Sequence, residues 1–342
     1  MAAFVKGVDE YQDFLRCSAA SAGNDRRLGA NEAPPVIISI YLGDELHAVV
    51  DSIIHGSNYT DPEKSIMRIG VDVMPPIPKD TTDRNRTSPL AFTGNKFEFR
   101  MMGSSQSVSD PNITLNTIMA EELSRFADIL EQAEDFDEAL HDLVTKTFTD
   151  HQRILFNGNG YSEEWCQEAH RRGLSDLRST PEAMPKYVSD KNVELVTKHG
   201  IFTEAEFRAR NEIHLETYRK ILNIEAKTTA DIAIRQILPA VSRYSADLAA
   251  RIQIKKGLGC SCEAETDLLT KISAGIDALY DRCRKLSDDL KQIPKDSIRA
   301  ANYFAQTVVP AMDAVRAEAD ALELLTDKTY WPFPTYSDLL FY

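Results

Sequence analysis

The stretch NDRRLGANEAPPVIISIYL, residues 24–42, decides the fold class of this chain. Its second half, Val36–Leu42, is apolar, rich in β-branched residues and only strand-length, which predicts a buried β-strand. Pro34 and Pro35 keep the chain out of helix just ahead of it. The first half sets Arg27 and Glu32 on either side of Leu28-Gly29-Ala30-Asn31, which reads as a loop. An arginine there can grip a carboxylate, and a loop glutamate can hold an ammonium ion and accept its proton. In isolation the same residues also describe a surface loop with ordinary charges.

Downstream, Leu46, Val49, Val50 and Ile53 repeat at helical spacing, so Glu45–Ile54 is expected to be a helix. Residues 55–83 read as a turn-rich connection stiffened by Pro75, Pro76 and Pro78. It delivers Arg84-Asn85-Arg86-Thr87-Ser88, a turn with two guanidiniums, each able to present a planar fork to ATP phosphate oxygens. An exposed basic turn has the same sequence. After a turn at Thr93-Gly94-Asn95, Lys96–Met102 alternates as a strand, with Phe97, Phe99 and Met101 on one face and Lys96, Glu98 and Arg100 on the other. A carboxylate two residues from a guanidinium can bind a divalent cation while the arginine holds the phosphate that the cation bridges. A solvated charged face is the plainer alternative. Pro111-Asn112 then opens a long helix with Ile113, Ile118, Leu123, Phe126 and Leu130 on its apolar face.

The two ends complete the plan. Phe4, Val5, Tyr11, Phe14 and Leu15 form the buried face of a helix already under way at the start of the chain. From about residue 151 the character becomes helical. Asn157-Gly158-Asn159-Gly160 is a turn, Thr180-Pro181 begins a helix, and Thr203-Glu204-Ala205-Glu206 is a capping box. Residues 211–256 read as a long helix or a helix pair broken near Pro239. Leu268 to Leu290 and Val308 to Leu325 carry three/four spacing on either side of Pro294, the pattern of an antiparallel helical hairpin. The aromatics of Tyr330-Trp331-Pro332-Phe333-Pro334-Thr335-Tyr336 should dock on a neighbouring surface.

A formal charge of −14 and a pI near 5.0 exclude nucleic acid and anionic membrane as general partners. Any polyanion must be met by a local cluster of cations. No apolar run approaches the roughly 20 residues of a membrane span, and the acidic N-terminus is unlike a signal peptide. Five cysteines without a framework suggest free thiols in a reducing compartment, so a cytoplasmic location is expected. Cys260-Ser261-Cys262 has no second ligand pair nearby, and the seven histidines show no ligand spacing, so neither reads as a metal site.

The ordered set of Arg27 to Pro34, Arg84 to Ser88 and Phe97 to Arg100 closely resembles the C-terminal portion of glutamine synthetases, and specifically the type III (long-chain) branch. Asn24–Pro35, Thr93–Arg100, Asn157–Ser162 and Tyr330–Tyr336 resemble that branch in detail, so the likeness runs along essentially the whole chain. It implies an α+β fold: the second half of the catalytic domain (an antiparallel sheet with helices) over residues 1–150, then a mainly α-helical extension over 151–342 containing the hairpin. The implied reaction is ATP-dependent joining of glutamate and ammonium through γ-glutamyl phosphate, with Mg²⁺ or Mn²⁺ as metal. The implied assembly is a ring-shaped homo-oligomer, a dodecamer in the full-length parent.

Residue by residue, the resemblance implies that Arg27 binds the glutamate carboxylate or acyl phosphate and Glu32 deprotonates ammonium. Arg84 and Arg86 would stabilise the ATP phosphates, Glu98 would ligate a metal and Arg100 would meet the phosphoryl oxygens. Arg26 stands where members of this branch more often have histidine, and Ala91-Phe92 lacks an arginine found in other branches. The N-terminal domain and most metal ligands of a full member have no counterpart, so Met1 is expected to be an internal methionine and the isolated chain to be inactive. The alternatives are a non-catalytic oligomer-assembly module and a ligase joining glutamate to another amine.

Overall fold

The computed structural model describes residues 1–30, 33–59, 66–67, 77–78 and 88–340. The chain forms two compact units, Met1–His214 and Leu215–Tyr342. It is mostly helical, with one small three-stranded sheet, an α+β composition. Among the described residues no helix is long and apolar enough to cross a membrane.

In the first unit, α1 (Ala2–Glu10) and α2 (Gln12–Ser18) form the expected N-terminal helix, interrupted at Tyr11 by non-helical dihedrals (φ −115°, ψ 25°). Val5, Phe14 and Leu15 are fully buried, as their spacing predicts. A short α3 (Ala22–Arg27) follows, its first turn capped by the Ser21 hydroxyl, which accepts from the Asn24 amide. β1 comprises Ile40–Tyr41, and α4 (Asp44–His55) ends on the left-handed Gly56. β2 (Ile66–Met67) and β3 (Ile77–Pro78) pair with each other. β4 (Leu90–Phe92) and β5 (Phe97–Phe99) complete the main sheet.

That sheet has the order β1-β4-β5 and is mixed rather than antiparallel. β4 and β5 are a hairpin in register Leu90↔Phe99, closed by Thr93 N–H donating to the Lys96 carbonyl (2.9 Å), with Gly94 at φ 99°. β1 meets β4 in parallel, Ile40↔Leu90, because nearly fifty residues including α4 separate them, enough for a crossover. β1 is also shorter than the predicted Val36–Leu42. Pro34 and Pro35 offer no backbone donors, and β4 pairs with β1 through only two residues, yet Ile37, Ile38, Ile40 and Leu42 are all buried. The apolar run therefore reports core burial more faithfully than it reports strand length.

Further helices complete the first unit. These are α5 (Ser109–Leu130), α6 (Phe136–His151), α7 (Glu163–Arg171), α8 (Thr180–Tyr187) and α9 (Asp190–Lys198). Helix α1 packs on α5 and α6, and Gly7 of α1 has no room for a β-carbon beside Ile118 of α5. The core gathers Val5, Leu15, Ile38, Ile40, Leu90, Met101, Phe148 and Trp165.

α10 (Glu204–Ile232) begins with the expected capping box, Glu206 accepting from the Thr203 amide at 2.9 Å. In the second unit follow α11 (Leu238–Gly257), α12 (Glu263–Asp289), α13 (Ser297–Tyr303), α14 (Val309–Leu325) and α15 (Tyr336–Leu340). The break expected near Pro239 is a π-turn at Ala233–Ile237. A second one at Phe304–Val308 precedes Pro310. In both, the widened turn holds the carbonyl four residues before proline (Arg235, Gln306), where the pyrrolidine ring would otherwise collide.

Helix α12 packs on α11 and α14 through Ile272, Leu279, Cys283 and Leu286, all fully buried. A β-carbon at Gly275 would sit 2.6 Å from Leu322 Cδ2, so glycine permits this close approach. Of the C-terminal aromatics, Tyr330 docks as expected: it lies against Tyr244, and its hydroxyl donates to Asp247 at 3.0 Å.

Candidate functional site

Of the residues singled out in the sequence, Arg27, Glu98 and Arg100 lie where β5 leaves the sheet. Alternation on β5 and the residues flanking it turns Phe97 and Phe99 to the core and buries Met101 fully, leaving Lys96, Glu98 and Arg100 on the other face. The Arg100 amide donates to the Pro89 carbonyl (2.9 Å), carrying the ladder past the end of the strand. Its guanidinium, only 13% exposed, donates through Nη2 to Glu98 Oε2 at 3.3 Å. Glu98 Oε1 also meets Lys96 Nζ at 3.4 Å and accepts from the Thr93 hydroxyl at 3.3 Å. Desolvation pushes the Glu98 carboxyl up, but the hydrogen bonds from Arg100 and Lys96 outweigh it and leave its pKa below the ordinary value.

Arg27 reaches the same place from α3. Its Nη1 donates to the Met101 carbonyl at 2.8 Å, one residue beyond Arg100, and to Asn24 Oδ1 at 3.2 Å. Asn24 is buried, and its amide nitrogen lies 2.7 Å from the Ala19 carbonyl, 2.9 Å from the Met101 carbonyl and 2.7 Å from Gln106 Oε1. A six-residue helix cannot hold a side chain in place by its own stability, so these side-chain-to-carbonyl bonds fix α3 to the end of β5. The structure thus brings Arg27 to the strand that carries Glu98 and Arg100. Glu32, Arg84 and Arg86 lie outside the described residues.

Two buried charge networks behind this surface escaped the sequence reading. In the first, Arg16 of α2 is 2% exposed, donates through Nε to the Leu177 carbonyl (2.9 Å) and lies 3.8 Å from Asp25 of α3. Asp25 in turn accepts from the amide and hydroxyl of Thr180 at 2.8 and 2.9 Å. Helix α3 is therefore anchored on α8 as well as on β5.

The second network joins α1, α5, α6 and α9. Glu122 pairs with Lys6 and with Arg125 (2.9 Å), and Glu121 with Arg125, Lys198 and His199 at 2.7–2.9 Å. Asp9 pairs with His151 at 2.7 Å and Arg153 at 2.8 Å. It steadies α1, whose Phe4 stacks on Phe97 of β5 at 4.0 Å between ring centres. The signal that could have found it is polar residues at apolar-face positions: Thr114, Thr117, Glu121 and Glu122 are buried beside Ile118, with Arg125 one turn on.

A groove of about 360 Å³ is lined by His47, Arg153, Arg171 and Arg172. It is cationic in sequence but not in balance, because Glu168 takes Arg171 and Arg172 at 2.7 and 2.6 Å and Asp9 takes Arg153. Among the described residues there is no group of three or more His, Cys, Asp or Glu that could hold a metal ion.

Comparison with known proteins defines the class. The family model for the glutamine synthetase C-terminal domain matches residues 139–256, from α6 into α11. The chain belongs to the glutamine synthetase family. Within it, the chain is 40% identical over its whole length to the type-3 glutamine synthetase of Dictyostelium discoideum, covering 48% of that protein. It is 38% identical to a glutamine synthetase of Butyrivibrio fibrisolvens and 37% to one of Bacteroides fragilis (strain YCH46), in each case over 98% of the chain. The chain spans about half the length of the curated relatives it matches, the extent of a C-terminal portion.

Proposed function

We propose that this chain supplies the phosphate- and carboxylate-facing part of a glutamate–ammonia ligase. In that reaction ATP phosphorylates the side-chain carboxylate of glutamate, and ammonia then displaces phosphate from the γ-glutamyl phosphate. Arg27 binds the substrate carboxylate or acyl phosphate, and Arg100 the phosphoryl oxygens. Arg84 and Arg86 stabilise the ATP phosphates, and Glu32 takes the ammonium proton. The contribution of the arginines is preorganised charge: each meets negative charge as it builds up on the transferring group. The observation that carries the reading is the Arg27 guanidinium bonded to the carbonyl directly after Arg100, which tethers two of these cations to one strand end.

The divalent ions of the family reaction do not fit the described residues alone. Glu98 offers one carboxylate whose oxygens are already shared among Arg100, Lys96 and Thr93, and a Mg²⁺ or Mn²⁺ pair needs more. Glu98 would be one ligand of such an ion. The same reading takes residues 1–150 as a partial catalytic domain and 151–342 as a helical extension. In it α12 and α14 are the arms of an antiparallel hairpin that serves ring assembly, in a cytoplasmic dodecamer. The packing of α12 on α14 around Gly275 supports the hairpin.

The test is glutamine formation by the purified chain with ATP, Mg²⁺, glutamate and ammonium, read beside its size by light scattering. Little or no turnover is expected, because the described residues offer the metal at this site a single carboxylate, Glu98, which leaves the phosphoryl step unsupported. Turnover in the range of ordinary ligases would overturn the half-site reading. Turnover only with another amine would make the chain a different ligase of the superfamily. A large oligomer that binds no nucleotide would mark it as an assembly module.

A further inference from the structure

The geometry points to Cys260 and Cys262 as a dithiol exchange site that reacts with small disulfides of the glutathione type and closes on itself. Helix α11 ends in a Schellman motif: the Cys260 amide donates to the Lys255 carbonyl at 3.0 Å, the Gly259 amide to the Lys256 carbonyl at 3.1 Å, and Gly259 is left-handed at φ 74°. This fixes the backbone of Cys260. Two residues on, Cys262 is the N-cap of α12, and its carbonyl accepts from the Thr266 amide at 2.9 Å. Only Ser261 separates the two anchored positions.

Two residues span at most about 7 Å when fully extended, and a disulfide needs its α-carbons roughly 4.4–6.8 Å apart, so a bent link of this length suits one. The two thiols differ in the way an exchange pair requires. Cys260 is exposed, whereas Cys262 is 5% exposed, with its sulfur 3.9 Å from the Ile252 carbonyl and 3.6 Å from the carbonyl of Cys260. The resolving sulfur thus already touches the backbone of the residue it would attack. Lys255, whose backbone carbonyl holds the Cys260 amide, is paired through its ammonium with Glu265, and that hydrogen bond holds the ammonium above the usual lysine range.

The steps balance. The Cys260 thiolate attacks one sulfur of the small disulfide, the S–S bond breaks, and one small thiolate leaves and is protonated by water. The Cys262 thiolate then attacks Cys260 Sγ in the mixed disulfide and expels the second small thiol. Two protein thiols are oxidised and one small disulfide is reduced to two thiols. None of this depends on the ligase reading.

The experiment incubates the intact chain with oxidised glutathione, blocks remaining thiols with N-ethylmaleimide, and reads intact mass and a peptide map. The expected result is loss of two hydrogens, a Cys260–Cys262 link in the peptide spanning both, and no lasting glutathione there. In Cys262→Ser the glutathione should persist on Cys260. In Cys260→Ser this peptide should carry neither link nor adduct. A stable adduct on Cys260 of the unaltered chain, or both thiols recovered blocked by maleimide, would overturn the proposal. The map keeps any reaction at half-buried Cys166 separate.

Discussion

The end of β5 and the heart of the second unit hold together in opposite ways. Around α3 and β5 the regular elements are six and three residues long, and what fixes them is polar: Asn24 and Arg27 on the Met101 carbonyl, and Arg16 through Asp25 to Thr180. Around α12 the elements run for 27 and 17 residues, and what fixes them is an apolar stripe with a glycine at the closest approach. Hydrophobic burial is non-directional and sums along a long helix, whereas hydrogen bonds to carbonyls set the direction of one guanidinium. A surface that must aim charges is built from the second kind of contact. A scaffold that must only hold its shape can use the first.

The sharpest way to break that contrast is to empty the apolar stripe. Leu279 is fully buried on α12, and Leu279→Ala removes its side chain from a packed interface. A loss of about 2–5 kcal/mol is expected from the missing transfer energy and the cavity left behind. Urea unfolding followed by circular dichroism would measure it. A cost under about 1 kcal/mol would mean that the stripe is not what holds α12. Next in size is Asn24→Ala at the polar anchor, which leaves the Ala19 and Met101 carbonyls short of a donor. Here about 1–3 kcal/mol is expected, together with faster amide exchange at Leu28, whose N–H bonds to the Asn24 carbonyl as part of α3. Loss of stability without any change in exchange there would show that α3 does not depend on this anchor.

The same contrast explains what the sequence made legible. Long periodic patterns were readable, because 3.6-residue periodicity accumulates signal with length: α4, α5 and α12 begin and end within a few residues of where spacing puts them, and the capping box at Thr203 marks the start of α10. The strands were readable as buried but not as strands of a given extent. Strand length depends on a partner far away in sequence, and β4 gives β1 only two residues, Leu90 and Ala91. For the same reason the parallel pairing of β1 with β4 was missed. Arg27, Glu98 and Arg100 could be named from their neighbours, but the bond from Arg27 to the Met101 carbonyl joins positions 74 residues apart. Arg16 and the Glu121–Glu122 pair went unread because a charge on an apolar face looks like an error of periodicity until its partner is in view.

The smallest expected effect is one of slope rather than midpoint, and it concerns those two neighbouring glutamates. Desolvation pushes the Glu121 carboxyl up, but the hydrogen bonds from Lys198 and His199 and the charge of Arg125 bring it down to about 2. A folded-state pKa below the unfolded one stabilises the fold above the unfolded value, near 4.5, and that contribution is lost as pH falls toward 2. Glu122 runs the other way. Burial, against its bond to Lys6, holds its carboxyl above the ordinary value, so its ionised form burdens the fold and protonation relieves it. In Glu121→Gln, urea midpoints taken between pH 4.5 and 2 should therefore fall less steeply than in the unaltered chain, since only the term that acid removes has been deleted. Equal slopes would mean that the buried network is held by the geometry of α1, α5 and α9 rather than by the charge of Glu121. The polar half of the comparison would then stand on the bonds around Asn24 and Arg16 alone.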